Sequence, residues 1–394
     1  MILLLLFFLL PAFTLPSPFP SPSPFPPTPP PLITEHLLSE FSPLSNLHQI
    51  NHTTSLSSPQ LAQLKTSTLL TPSDPNSNYF LGLAHLYGLS SLPPSAVSAS
   101  KFFRISAEAG SADAACALGL LLYFGIGGVG RDSKAANAWF SIASLADHPR
   151  GHWLLGRSYY EGRASIQIEI EIEIDVNGGD QQQQNFDEAG RLFGLAAAAA
   201  VPEAIHHLGL MFEYGLIATS AAVSSEVSKE EYEEALMFKT PGSQHLPNFR
   251  KAKELYQEAW GKFNFAESGY NLALMTAYGR GCEQDYPRAQ NMLRTLSMDQ
   301  AHPGAMRYLG IFATHGHGMK DDVSDYRAAI VWFDKCAKMD DGKFSVLCVK
   351  ERDELRGAVK ASRENLKKLN KEFPDIEFDN VDLDWDIDMK FLDS

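Results

Sequence analysis

Leucine-rich helical blocks recur along the chain, each closed by a glycine: "LGLAHLYG", "LGLLLYFG", "LGRSYYEG", "LGLMFEYG", "LALMTAYG" and "LGIFATHG". Each holds a small residue followed six positions later by glycine. The pairs are Gly82/Gly88, Gly119/Gly125, Gly156/Gly162, Gly209/Gly215, Ala273/Gly279 and Gly310/Gly316. The apolar positions make one helix face, and the closing glycine suits a left-handed C-cap. Between the blocks, alanine precedes a large apolar residue by four positions: Ala99/Phe103, Ala136/Phe140, Ala189/Phe193, Ala252/Tyr256, Ala289/Leu293 and Ala329/Phe333. Residues four apart share a helix face, so each pair predicts a second helix with a small-beside-large stripe. The pattern predicts six units of helix A, loop and helix B. The small residue of helix A should let helix B of a neighbouring unit approach closely.

The spacing also locates what varies. From the helix-B alanine to the next small residue the distance is always 20 or 21 positions. From the small residue to the helix-B alanine it is 17, 17, 33, 43, 16 and 19. The extra length therefore sits in the A–B loops of the third and fourth units, at residues 163–184 and 216–248. The predicted fold class is all-α: a right-handed α-solenoid of about six helix–loop–helix repeats over residues 76–342, with disordered N- and C-terminal segments. A helix over 343–372 should cap it.

Two segments break the helical period. In "SIQIEIEIEIDVNGGDQQQQN" the apolar residues Ile166, Ile168, Ile170, Ile172, Ile174 and Val176 alternate with acids. That spacing gives no helix face and would line one side of a strand. A lone strand has no ladder partner, so a tolerated loop insertion is favoured over a functional β-element. The tail at 373–394 repeats the theme, with Leu383, Trp385, Ile387 and Met389 between Asp382, Asp384, Asp386 and Asp388. Such alternation suits a docking segment with apolar anchors and acids for steering; a solvating acidic tail is the alternative.

The stretches "ALGLLLYFGIGGVGRDSKAANAWFSIASLADHPRG" (117–151) and "YGRGCEQDYPRAQNMLRTLSMDQAHPGAMRYLG" (278–310) resemble the Sel-one-like repeat family, a relative of tetratricopeptide repeats. The resemblance covers about residues 76–342. It implies an α-solenoid scaffold whose curved surface holds other proteins. The best-known eukaryotic member is a lumenal adaptor of the endoplasmic-reticulum ubiquitin-ligase complex that disposes of misfolded proteins. This chain has fewer units and no C-terminal membrane segment.

Composition narrows the partners. With 33 basic and 47 acidic residues the net charge is −14, which opposes nucleic-acid binding through phosphate neutralisation. The apolar run from Ile2 to Leu10 has the length of a signal-peptide core, and residues 1–14 are assigned to one; a short retained anchor or unprocessed tail is the alternative. A Pro/Ser-rich flexible region follows at 15–75, with eleven prolines in residues 11–31. It includes a glycosylation sequon at Asn51. No later segment has the length and apolar character of a membrane span. Of the four cysteines, Cys116, Cys282, Cys336 and Cys348, buried free thiols are the default, and a Cys336–Cys348 bridge is the local alternative.

Candidate chemistry is thin. "GIGGVG" (Gly125, Gly127, Gly130) mimics a dinucleotide fingerprint but follows a helix, where a βαβ context is required. His315/His317 and His206/His207 lack the converging ligands that zinc needs. No catalytic residue, cofactor or metal is expected. The expected function is a non-catalytic protein–protein scaffold of the secretory pathway or endoplasmic-reticulum lumen. The alternatives are the ubiquitin-ligase adaptor, a secreted repeat enzyme or enzyme regulator, and a cytosolic scaffold.

Overall fold

The computed structural model describes residues 58–89, 92–163, 185–217, 245–318, 323–339 and 342–372. Among them are fourteen α-helices and no strand. The helices are α1 (Ser58–Leu70), α2 (Pro75–Tyr87), α3 (Ala96–Glu108), α4 (Ala112–Phe124), α5 (Ser133–Leu145), α6 (Pro149–Tyr160) and α7 (Phe186–Ala198). They continue with α8 (Pro202–Glu213), α9 (Phe249–Phe263), α10 (Ala266–Tyr278), α11 (Tyr286–Asp299), α12 (Pro303–His315), α13 (Tyr326–Ala337) and α14 (Lys343–Glu372). From α2 to α13 they alternate as helix A and helix B of six repeats, the α-solenoid class that the periodicity predicts. The chain divides into two compact units, Met1–Ala259 and Trp260–Ser394. The Ile/Glu stretch, most of the second insertion, Asn51 and the tail residues Leu383, Trp385, Ile387 and Met389 lie outside the described residues. Helix α1 falls inside the region expected to be flexible. Its SPQLAQL sequence places a proline in the first turn, where no N–H is needed.

The recurring small residue does admit a bulky neighbour, but the partner helix differs from the expectation. A Cβ on Gly82 would stand 2.4 Å from the Phe103 ring, and one on Gly119 2.4 Å from Phe140. The corresponding distances are 3.0 Å for Gly156 against Phe193, 2.5 Å for Gly209 against Tyr256 and 2.5 Å for Gly310 against Phe333. Each aromatic knob belongs to helix B of the same repeat, not of a neighbour. In the fifth repeat the notch is Ala273 and the knob shrinks to Leu293; both are fully buried in one core cluster. Notch and knob change size together. Phe103, Phe140, Phe193 and Tyr256 are almost entirely buried, each contributing about 1.5–3 kcal/mol of apolar transfer. The helix-B alanines that precede the knobs, Ala99, Ala136, Ala189, Ala252, Ala289 and Ala329, are all fully buried, as a small-beside-large stripe requires.

A second regularity pins the variable loops. Every helix B starts at a capping Ser, Asp or Asn four positions before its alanine: Ser95, Asp132, Asn185, Asn248, Asp285 and Asp325. The backbone N–H of that residue also donates to a helix-A carbonyl three positions before the closing glycine. The bonds run from Ser95 to His85 (2.7 Å), Asp132 to Leu122 (2.8 Å), Asn185 to Tyr159 (3.2 Å), Asn248 to Phe212 (2.8 Å), Asp285 to Thr276 (2.9 Å) and Asp325 to Ala313 (2.8 Å). The clasp is the same whether seven positions or thirty-three separate glycine and cap. Insertions are tolerated because both ends leave and return at a fixed point.

The closing glycines cap their helices in four repeats and are displaced in two. Gly88 (φ 67°), Gly125 (φ 70°), Gly279 (φ 71°) and Gly316 (φ 77°) are left-handed C-caps, as expected. In the third and fourth repeats helix A stops one residue sooner, and Glu161 and Tyr214 are the C-caps instead. Gly162 (φ 69°) and Gly215 (φ 63°) follow them, still left-handed. The turn itself is unchanged, because the next N–H returns to a carbonyl five positions back in both cases. Arg163 donates to Ser158 and Leu216 to Met211, as Arg280 does to Met275 and His317 to Phe312. These glycines meet the A–B loop, not a neighbouring helix. A Cβ on Gly88 would press on Pro94 at 2.7 Å, one on Gly215 on the His245 carbonyl oxygen at 2.4 Å, and one on Gly279 would meet Gln284 at 3.3 Å. Four of the five turns from helix B to the next helix A use the left-handed region without glycine, at Asp147, Ala200, Asn264 and Ala301, while the first uses Gly110 (φ 96°).

In the C-terminal unit α14 is fastened to α13 by a disulfide between Cys336 and Cys348, whose Cα atoms are 6.0 Å apart. This overturns the free-thiol default for that pair: successive helices bring both side chains into one buried contact. Closing so short a loop stabilises by about 3 kcal/mol in the chain-entropy account. Cys116 is free and buried, and Cys282 is free and half-buried. Ion pairs reinforce the joint. Arg307 Nε donates to both carboxylate oxygens of Glu351 at 3.0 Å. Asp334 accepts from Arg352 at 3.0 Å and from Arg356 at 3.1 Å.

Candidate protein-interaction surface

Helix α6 carries Arg150, Trp153, Arg157 and Tyr160 three to four residues apart, hence on one face. The Arg150 guanidinium lies 5.2 Å from the Trp153 ring centre and 3.7 Å from Glu203 on α8. Arg157 lies 5.7 Å from the same ring and 5.6 Å from that of Phe124 on α4. Glu161 gathers Arg157 (2.8 Å), Arg163 (3.1 Å) and the donated hydroxyl of Tyr123 (2.6 Å). Burial works to raise that carboxyl, but Arg157, Tyr123 and Arg163 outweigh it and hold it below the usual range. The helix-A layer is thus laced by charged bonds and cation–π contacts, a stiff base for a binding surface.

The histidine pair lies deeper. His207 donates Nδ1–H to the Glu203 carbonyl at 2.6 Å, taking the neutral ring as protonated there. Its ring is 5.0 Å from Phe193, 5.9 Å from Tyr160 and 6.3 Å from Trp153. Burial pushes His207 down to about 4 and His206 well below its ordinary value. Both are packing residues that stay neutral near pH 7. His317 stacks on Tyr286 at 4.3 Å, with His315 stacked on His317 at 5.6 Å. No group able to hold a metal ion occurs among the described residues. In "GIGGVG", Gly125 caps α4, and a Cβ on Gly127 would press on Ala96 at 2.8 Å. These glycines let the loop lie on α3.

Two constellations imitate catalytic triads. Ser144 Oγ stands 2.8 Å from His152 Nδ1, and His152 Nε2 stands 2.9 Å from Asp147. Ser144 sits in the last turn of α5, where carbonyls point outward and would repel a developing oxyanion. Cys116 lies 3.7 Å from His148 Nδ1, and His148 Nε2 lies 3.2 Å from Asp113. Burial, then Asp113, push that thiol up, and Nδ1 also accepts the Gly151 N–H as the cap of α6. A thiol kept protonated beside an occupied base is a poor nucleophile.

Family comparison adds the decisive observation. A model of the Sel1 repeat matches residues 75–111, 112–148, 202–221, 238–259, 266–295 and 303–341. The chain belongs to the Sel1 repeat family. The matched segments skip residues 149–201, yet there α6 and α7 interlock through Gly156 and Phe193 as the other Sel1 pairs do. Among solved structures it is similar to a protective antigen of uropathogenic Escherichia coli with an SLR fold: 19% identity, TM-score 0.54, 79% of this chain and 54% of that one. It is also similar to a Sel1 repeat protein from Oxalobacter formigenes: 18% identity, TM-score 0.54, 78% of this chain and 99% of that one. This chain therefore spans about half the length of the E. coli protein. At these identities the likeness is one of fold. No curated protein matches the chain.

A Sel1 fold is a protein-interaction scaffold, and its specificity lies on side chains the packing does not use. The position six residues after each helix-B alanine is one such place. In the first three repeats it holds Ile105, Ile142 and Leu195, which are 40%, 46% and 42% exposed. Glu258, Thr295 and Lys335 stand there in the last three. Sequence reading missed both this change of character and the capping residues. The caps were legible as Ser, Asp or Asn four positions before each alanine. No helix among the described residues is long and apolar enough to cross a membrane.

Proposed function

We propose that this chain is a non-catalytic protein–protein scaffold working in the secretory pathway, in the lumen of the endoplasmic reticulum or beyond it. The observation that carries the compartment is the Cys336–Cys348 disulfide, because such bonds persist where the medium is oxidising. The apolar run Ile2–Leu10 and the sequon at Asn51 point the same way. A scaffold role is supported by repeats whose packing residues recur while their outward residues differ. The absence of catalysis is supported by the two triad-like clusters, where one nucleophile sits at a helix C-terminus and the other is a buried thiol.

The test is expression of the full chain, with its own N-terminus and a C-terminal tag, in a secretory eukaryotic cell. Expected are a glycosidase-sensitive mass shift lost in Asn51→Gln, alkylation-resistant Cys336 and Cys348, and lumenal partners on affinity purification. Recovery of ubiquitin-ligase and folding-machinery components narrows the role to an adaptor in the disposal of misfolded proteins. Reduced cysteines, unmodified Asn51 and cytosolic partners together overturn the secretory reading.

A further inference from the structure

The outer helix-B faces of the C-terminal unit carry several cations, and the position that holds Ile105, Ile142 and Leu195 in the first three repeats holds Thr295 and Lys335 there. Helix α11 exposes Arg288, Arg294 and Met298, and α13 exposes Arg327, Val331 and Lys335, spaced so that each set lies on the outer side of its helix. The guanidinium groups of Arg288, Arg294 and Arg327 meet no carboxylate among the described residues. Lys335 holds its ammonium 4.4 Å over the Trp332 ring. Nearly all the acids of these helices are otherwise engaged. Asp285 and Asp325 accept capping N–H groups, and Asp334 holds Arg352 and Arg356. Asp299, in the last turn of α11, and the capping Asp325 are the exposed acids beside them.

We propose that the segment Val381–Met389 of the same chain docks on this basic outer side of α11 and α13 and competes there with acidic partners. This deepens the scaffold reading and rests on it for what the docking regulates. Charge complementarity carries the assignment. Residues 373–394 hold eight carboxylates and one lysine, and the stretch alternates Leu383, Trp385, Ile387 and Met389 with four aspartates. Apolar anchors that spare the carboxylates fit cations interleaved with Met298 and Val331. Reach is sufficient. Arg356 of α14 is held at Asp334 on α13, and Glu372 lies sixteen residues farther, about 24 Å along the helix axis. The thirteen residues from there to Trp385 span up to about 43 Å. A tether of that length supplies an effective concentration of about millimolar, enough to seat a weak contact. The first three repeats also expose cations, Lys101, Arg104 and Lys134, while Arg191 is already paired with Glu188. The attachment of α14 to α13 is what selects the C-terminal unit for a segment tethered at Glu372.

The test uses the full chain and a carbodiimide, which joins a carboxylate to an ammonium in direct contact. Expected are links from Asp382–Asp388 to Lys335 or Lys338 in the monomer band, declining at high salt. Trp385→Ala with Ile387→Ala leaves every carboxylate in place. That variant should lower the links at least fivefold without moving the thermal midpoint, and Arg294→Glu with Arg327→Glu should do likewise. Links only in a dimer band assign the site to a second copy and overturn docking in cis. Links to Lys101 or Lys134, or none, overturn the site itself. Failure of the scaffold reading is separable, because it leaves these links in place while no partner is recovered.

Discussion

The interlock of notch and knob makes a quantitative prediction at Gly119. Replacing it with alanine puts a methyl 2.4 Å from Phe140 Cε1 and 2.6 Å from Cδ1, where apolar carbons prefer about 3.5–4.0 Å. The ring would have to retreat by more than an ångström. It is 1% exposed and has nowhere to go. Overpacking of this kind costs about 1–3 kcal/mol, against about 1 kcal/mol gained from alanine in a helix interior. Gly119→Ala should therefore destabilise by up to about 2 kcal/mol, with about 1 kcal/mol at the middle of that range. Phe140→Leu should cost about 1 kcal/mol, the difference between emptying a phenylalanine and a leucine site. The double variant recreates the Ala273/Leu293 pairing of the fifth repeat, so it should fall close to wild type. A coupling of about 2 kcal/mol follows, far outside the additivity of independent sites. Native-state hydrogen exchange of α4 and α5 is the assay, because it reads local opening where repeats need not unfold together. If the double variant costs the sum of the singles within about 0.5 kcal/mol, the size-matching account is wrong.

Acid should loosen the joint between the third and fourth repeats. Burial keeps His207 neutral down to about pH 4, whereas the unfolded chain binds a proton below its ordinary 6.5; stability present above that value is lost as pH falls toward 4, by about 3 kcal/mol. His206 adds loss in the same direction, and His206→Asn with His207→Asn should flatten the pH profile of the unfolding midpoint. Ala301, at φ 50°, is strained by a left-handed backbone, so Ala301→Gly should stabilise by about 0.5–1 kcal/mol while Ala305→Gly in α12 destabilises, both read by urea unfolding. Shortening the third A–B loop until seven positions separate Gly162 from Asn185, as in the first two repeats, should stabilise by about 1 kcal/mol from loop entropy. A loss above 2 kcal/mol in calorimetry would mean that the Ile/Glu stretch packs on the repeats.

The repeats were legible because glycine, alanine and aromatic residues recur at spacings that only a helical pair explains. The closing glycines were legible too, down to the left-handed backbone of Gly88, Gly279 and Gly316. At Gly162 and Gly215 the exact cap was not, because a helix end can shift by one residue while the turn after it stays the same. The partner of the notch was hidden altogether. Gly119 stands sixteen residues after Phe103 and twenty-one before Phe140, and the spacing is constant only from helix B to the next helix A. Constant spacing there reflects a short turn, fixed by left-handed residues such as Asp147 and Ala301. The true contact spans the loop of variable length, where sequence distance carries no information. The disulfide ranked second for a related reason. Cys336 and Cys348 meet because α14 folds back on α13, which no spacing of four irregular cysteines encodes. The tail anchors rest on their alternation with aspartates and Asn51 on its sequon, and both lie outside the described residues.

Packing and recognition occupy different positions of the same helices. At each helix B, the cap, the alanine and the knob are dictated by neighbours: the clasp needs a donor N–H, the core a small residue, the notch a ring. Six residues beyond the alanine nothing in the fold dictates the side chain, and there Ile105, Ile142 and Leu195 give way to Thr295 and Lys335. Leaving three branched chains about half exposed has no folding benefit when a polar residue serves equally in later repeats. The side chain at this position is thus free to set what each repeat can bind, apolar in the first three and polar or charged at Glu258, Thr295 and Lys335. Exchanging Ile142 for threonine should leave the melting temperature unchanged and act only on what the scaffold binds.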